Sequence, residues 1–276
     1  MSKLKHIALA LVAVFSVSTH PVSVAQAQSP TLTGDVVQGG IIRGKLPPQS
    51  QVWLNGQALP ITPSGEFIFG IAKDANEPIT VSYQYPNGDR DTQIITPQVR
   101  EFQIQRINGL PSEQVTPPQD VLERIREEAM LAKSARDRIS PLIGFTEAFI
   151  WPADGPITGV YGSQRILNGE PRAPHWGVDV AAPVGTPVVA PASGEVVLAH
   201  QDMYFSGGTL FIDHGHGLMS AFLHLDSLSV EVGTHVQKGQ LIATVGQSGR
   251  ATGPHLDWRV SWRDLRVDAQ LLVPPR

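Results

Sequence analysis

The chain of 276 residues contains no cysteine. That absence excludes disulfide staples, thiolate metal ligands and a cysteine-linked lipid anchor. Any metal must then be held by histidine, aspartate or glutamate. An excess of one charge is also missing. Lys and Arg number 21 against 25 Asp and Glu, a net charge of −4, which argues against nucleic acid as the main partner. Long apolar runs are scarce. The marked one, residues 7–17, is 11 long, and a helix needs about 20 apolar residues to cross about 30 Å of hydrocarbon. Lys3 and Lys5 precede it, and Ala25, Gln26 and Ala27 follow as a small-residue cleavage site. Residues 1–27 therefore read as a signal peptide, and no transmembrane segment is expected once it is removed.

What is present suffices for about two domains: hydrophobic residues make up 41% of the chain. Residues 30–107 predict a small β-sandwich-like module. Val52, Trp53 and Leu54 run into the turn pair Asn55-Gly56, Ser64-Gly65 precedes Glu66, Phe67, Ile68 and Phe69, and Ile79 to Tyr83 leads into Pro86, Asn87 and Gly88. This module carries no cluster of chemically active residues and reads as a spacer or binding module. Residues 117–140 predict a linker helix. Pro117, Pro118 and Asp120 offer a start, Leu122, Ile125, Ala129, Ala132 and Ile139 recur on one face, and Ser140-Pro141 ends it. From residue 146 to the C-terminus, short Gly-punctuated strands predict an antiparallel β domain with no helix of its own. The fold class expected is mainly β.

Histidine placement is uneven. His6 and His20 leave with the signal peptide, and the other seven all lie from His175 to His255. In His175-Trp176-Gly177-Val178-Asp179, four residues of straight strand would span about 13 Å. Two side chains cannot meet there at one zinc, whose bonds are about 2.0–2.2 Å. A bend is needed, and Gly177 is expected to supply it. Alone, this spacing would look the same for a surface His and a turn Asp. His255, Asp257 and Arg259 alternate with Leu256, Trp258 and Val260, so a strand here shows a polar row and an apolar row. That is how a strand lining a site reads. His224 sits in the apolar strand pattern of residues 220–225. His214 and His216, in a Gly-rich stretch, read as structural, and His200 and His235 as surface or turn residues.

These residues carry a resemblance. The text HWGVDVAAPVGTPVVAPASGEVV, IDHGHGLMSAFLHL and VEVGTHVQKGQLIATVGQSGRATGPHL, from about Thr158 to Val260, resembles the lysostaphin/LytM-type family of peptidoglycan zinc metallopeptidases. The leader Tyr161 to Arg165, with Gly169 to Arg172, is similar to members with an intact site. The resemblance does not reach residues 30–105. It implies a groove holding one Zn2+ ion. By position, His175 and Asp179 match two zinc ligands, and His224 and His255 match the two catalytic histidines. The family's last motif is usually His-x-His, whose second His is the third ligand. Here that place is Asp257.

Carboxylate oxygen is an acceptable zinc ligand, so His175, Asp179 and Asp257 are the metal set the resemblance implies. A second carboxylate cancels the ion's remaining charge, which predicts weaker zinc affinity or a higher pH optimum. The function implied is a peptidoglycan endopeptidase cutting stem peptides or crosslinks with zinc-activated water, in the periplasm. The competing class is an inactive relative that binds and activates another wall hydrolase. A regulatory protein could reach the chain through the N-terminal module.

Overall fold

The computed structural model describes residues 30–109 and 117–276. The expected signal peptide lies outside the described residues. Strands dominate, as the alternating and Gly-punctuated pattern predicts.

The first module contains β1 (Thr31–Thr33), β2 (Ile41–Lys45), β3 (Gln51–Leu54), β4 (Gln57–Ala58), β5 (Glu66–Gly70), β6 (Ile79–Gln84) and β7 (Arg90–Ile95). They form two antiparallel sheets, ordered β1-β2-β5 and β4-β3-β6-β7. Asn55 and Gly56 both take positive φ, 47° and 80°, as a two-residue hairpin turn between β3 and β4 requires. Ile79, Val81 and Tyr83 alternate inward along β6 to meet Ile42, Phe67 and Phe69. The next strand, β8 (Ile104–Ile107), pairs elsewhere, as described below.

The chain then forms helix α1 (Leu122–Arg136) and the strands β9 (Ile157–Gly159), β10 (Gln164–Leu167), β11 (Glu170–Pro171), β12 (Gly177–Ala181), β13 (Pro187–Val189) and β14 (Gly194–Met203). The remaining strands are β15 (Gly207–Gly215), β16 (Leu218–Leu228), β17 (His235–Val236), β18 (Leu241–Val245), β19 (His255–Trp262) and β20 (Leu265–Val267). The main sheet runs β17-β14-β15-β16-β19-β12-β9, with β18 on β13 and β16, and β20 on β19.

Both faces of this sheet are covered. On one face Leu210, Ile212, Phe222, Val260 and Trp258 join a core that continues into the first module. Gly70 of β5 sits so close that a Cβ there would lie 3.0 Å from Val267 Cγ1 and 3.1 Å from the Trp262 Cβ. Arg100 and Asp268 add an ion pair at 2.8 Å across the same junction. On the other face Leu198, Phe211, Met219, Ala221 and Leu223 meet Ala132 and Ala135 of α1. Small residues on the helix let it lie close to the strands, and Arg124 at its start pairs with Glu128 and Asp202.

Two joints tie the linker region to the site. β8 pairs in parallel with β10, matching Gln105 to Arg165. β10 in turn pairs with β11. The segment leaving the first module therefore braces the strand that carries Arg165.

His214, on β15, is fully buried against Phe149. Its Nδ1–H donates to the Ser193 carbonyl, and Nε2 accepts from the Ser220 hydroxyl, each at 2.9 Å. Burial pushes its pKa down to about 4. The ring is neutral in the fold, whereas the unfolded chain binds a proton near pH 6.5. Its contribution, on the order of 3 kcal/mol, is complete above about pH 6.5 and is lost as pH falls toward 4. Urea unfolding measured from pH 7 to pH 4.5 is expected to show a falling midpoint. The fall is expected to be shallower in His214→Gln. An unchanged slope in that variant would remove His214 from the account.

Candidate metal centre and active site

β12 and β19 lie side by side, and their register opposes Asp179 to Asp257. Like charges facing each other across strands repel. The sequence places cations to offset this. Arg259, two residues on and therefore on the same face, clamps Asp257: Nη2 lies 2.6 Å from Oδ2, and Nε 3.1 Å from both oxygens. Arg165 from β10 lies 3.5 Å from Asp179 Oδ2. The alternation of polar and apolar rows is as read from the sequence, since Leu256, Trp258 and Val260 are buried on the opposite face.

His175 comes to the same point from just before β12. Its ring is fully buried. Nε2 lies 3.1 Å from Asp179 Oδ1 and 3.5 Å from Asp257 Oδ1. Neither His175 ring nitrogen, nor Asp179 Oδ1, finds a hydrogen-bond partner despite burial. One donor atom from each of His175, Asp179 and Asp257 lies within 4.8 Å of the other two. Gly177 acts differently from expectation. It is extended strand, outside the positive-φ glycines. A Cβ there would meet Asp257 Oδ1 at 2.3 Å and the Arg259 Cγ at 2.7 Å. The glycine admits the neighbouring strand's side chains, and His175, just outside β12, is held by its N–H to the Ser163 carbonyl and by its carbonyl to the Gly162 N–H, each at 2.8 Å.

Charges in the triad sustain one another. Burial opposes a proton on His175, but the carboxylates of Asp257 and Asp179 outweigh it and raise the pKa above the ordinary imidazole value. Burial alone would raise the Asp257 carboxyl. Arg259 and His175 reverse this and hold it well below the ordinary carboxylate range.

His224 and His255 flank the triad, with ring centroids 4.8 Å apart. His224 Nδ1–H donates to the Ser248 carbonyl at 2.9 Å, and His255 Nδ1–H to the Gly253 carbonyl at 2.8 Å. In the neutral form both rings are therefore the tautomer with a free lone pair on Nε2. His255 Nε2 lies 3.8 Å from Asp179 Oδ1. His224 owes its position to a β-bulge. Gly208 pairs with Leu225 and Leu210 with Phe222, so Leu223 and His224 together oppose one residue of β15. His224 takes φ 64°, unfavourable for a residue with a Cβ, and its own N–H donates to the Ser206 carbonyl at 2.8 Å. Burial pushes its pKa down to about 4, so it is neutral at neutral pH and can accept a proton.

The five residues expected from the sequence are thus brought together. His235 is exposed and His200 half-buried on β14, both away from the triad, while His214 and His216 pack under Phe149 and Phe145. Arg259 and Arg165 as carboxylate partners escaped the sequence reading. The signal for Arg259 was its place in the polar row beside Asp257. Arg165 had none, because its partner lies on a different strand.

Comparison with known proteins places this arrangement. The family described as Peptidase family M23 matches residues 173–269. The peptidoglycan DD-endopeptidase ShyB of Vibrio cholerae is 42% identical over 114 residues, covering 41% of this chain and 24% of that protein. The cell division protein DipM of Caulobacter vibrioides is 29% identical over 127 residues, covering 46% of this chain and 20% of that protein. The matched segment is about a quarter of the length of ShyB and its two Vibrio cholerae counterparts, ShyA and ShyC. A crystal structure from Pseudomonas aeruginosa assigned to peptidase M23 superposes with a TM-score of 0.66 at 28% identity, covering 87% of this chain and 95% of that one. With the fold, the antiparallel sheet and the matching motifs agreeing, the C-terminal domain of this chain belongs to peptidase family M23.

Proposed function

We propose that the C-terminal domain is a peptidoglycan endopeptidase. Zinc is the metal we infer, with His175, Asp179 and Asp257 as its ligands, since imidazole and carboxylate oxygen both serve as zinc donors. The observation that carries the reading is the convergence of three buried, partly unpartnered donor atoms beside two histidines that share one tautomer. Bound zinc would supply Lewis acidity, polarising a peptide carbonyl and acidifying water. The chain's own groups do the rest. His224 and His255, each held by a backbone carbonyl on Nδ1, present Nε2 to accept a proton and later return one to the leaving amine. Gly177 and the paired strands hold the carboxylates in place. The relatives named as peptidoglycan DD-endopeptidases support this substrate class, and with it we infer a working protein outside the cytoplasmic membrane, in the periplasm.

Purified protein is expected to cut the peptide crosslinks of isolated sacculi, read as loss of crosslinked muropeptides after a separate muramidase digestion, to lose that activity on chelation and to regain it with zinc. Protein that carries no metal and cuts nothing between pH 6 and pH 9 would sink the reading. One observation favours a second reading, an inactive domain that recruits another hydrolase: Arg259 already engages both oxygens of Asp257. Complementation separates the two. A recruiting domain restores cell-wall phenotypes with His175→Ala in place, and a hydrolase does not.

A further inference from the structure

Beside the triad, on the α1 side, lies a cavity of about 300 Å³ that the chemistry above does not use. Five arginines line it: Arg136 from α1, Arg165 from β10, Arg250, Arg259 from β19 and Arg266 from β20. One acid, Glu128, faces them, and its carboxylate is engaged by Arg124 Nε at 2.7 Å and by the Tyr204 N–H at 2.8 Å. Arg259 and Arg165 have Asp257 and Asp179 as partners. Arg250 stacks on Phe205 at 4.5 Å. Arg136 and Arg266 are different. Among the described residues, no hydrogen bond or ion pair reaches either guanidinium.

Cations crowded in a partly dry pocket repel one another, and each loses hydration. Burial and the neighbouring arginines push Arg266 down to about 9 and Arg250 to about 10. Such a cluster is costly unless an anion completes it. Guanidinium forks match planar oxyanions, which they bind through two parallel hydrogen bonds. The rest of the wall narrows the choice. Ala129, Ala132, Met203, Phe211 and Leu223 give an apolar floor, which inorganic phosphate would leave unfilled. A carboxylate on a short aliphatic residue fills both parts.

The cavity also joins the groove. Arg165, His224 and Arg250 line it together with the neighbouring cavity of about 310 Å³ that contains Asp179 and His255. We propose that the arginine cavity is a carboxylate subsite, seating a free carboxylate of the peptide substrate while the bond to be cut lies in the adjoining groove. This rests on the endopeptidase reading for its substrate, but binding is measurable without cleavage.

The test is calorimetric titration of the full chain, as purified and after metal removal, with acetyl-D-alanyl-D-alanine, its C-terminal amide and inorganic phosphate. The acid is expected to bind at least ten times more tightly than the amide in both preparations. Arg266→Gln and Arg136→Gln are each expected to weaken the acid at least tenfold and leave the amide unchanged, with Arg266→Lys intermediate. Arg136 sits at the end of α1, so its variant serves if Arg266→Gln does not fold. Equal binding of acid and amide, parental affinity in both Gln variants, or phosphate binding as tightly as the dipeptide acid overturns the subsite. Tight acid binding with no digestion of sacculi would instead remove the endopeptidase reading and leave the subsite standing.

Discussion

Replacing His175 by Ala will lower cleavage of isolated sacculi by at least about a thousandfold, a loss of about 4 kcal/mol of transition-state stabilisation. The size follows from the position of the ring. It is fully buried, neither nitrogen has a hydrogen-bond partner, and both facing carboxylates lie within 3.5 Å of Nε2. Removing it deletes a donor and leaves two carboxylates opposed across β12 and β19 with less positive charge between them. Metal content measured alongside turnover is expected to fall in the same variant. Circular dichroism checks that the sheet persists. Retention of more than a tenth of the parental rate would show that the chemistry lies elsewhere.

Asp257→Ala is expected to destabilise the fold by about 3 kcal/mol, because Arg259, three-quarters buried, would lose its carboxylate clamp. The double variant Asp257→Ala with Arg259→Met is expected to recover most of that loss. An apolar pair does not carry the desolvation cost of a lone guanidinium. Denaturant melts of the four proteins in this cycle decide it. Additive effects of the two substitutions would mean that the pair contributes nothing. Asp257→His, which restores the family's His-x-His, is the companion variant. It frees Arg259 in the same way, so any gain in zinc affinity arrives with a loss of stability.

Much of this site can be read along the chain. The polar and apolar rows of residues 255–260 needed only the two-residue period of a strand, and Leu256, Trp258 and Val260 do face the core. The Asn55-Gly56 turn needed only the positive φ that those residues tolerate. His175 and Asp179 were harder, because His175 is held by backbone bonds to Gly162 and Ser163, outside its own stretch of chain. Gly177 drew the wrong explanation for the same reason. Its lack of a side chain matters to β19, a strand some eighty residues further on, and not to its own backbone. Arg165, Arg136 and Arg266 were out of reach altogether. They come from three elements, and what unites them is the docking of α1 and the pairing of β8 with β10. Long-range pairing of that kind leaves no periodic trace. The signal peptide expected at residues 1–27 lies outside the described residues.

The position of β19 has a consequence for how the chain acquires its activity. It is among the last strands to be synthesised, yet it lies inside the sheet between β16 and β12. Until it inserts, the strand bearing His224 and the strand bearing Asp179 have no common neighbour, and two of the five site residues are absent. A chain still emerging, or cut short before residue 255, therefore holds most of its hydrophobic core and none of its catalytic geometry. Closure through such distant contacts is slow compared with the local hairpins. Assembly order thus ties the site to the whole domain: its geometry exists only once one of the last strands made has entered the middle of the sheet.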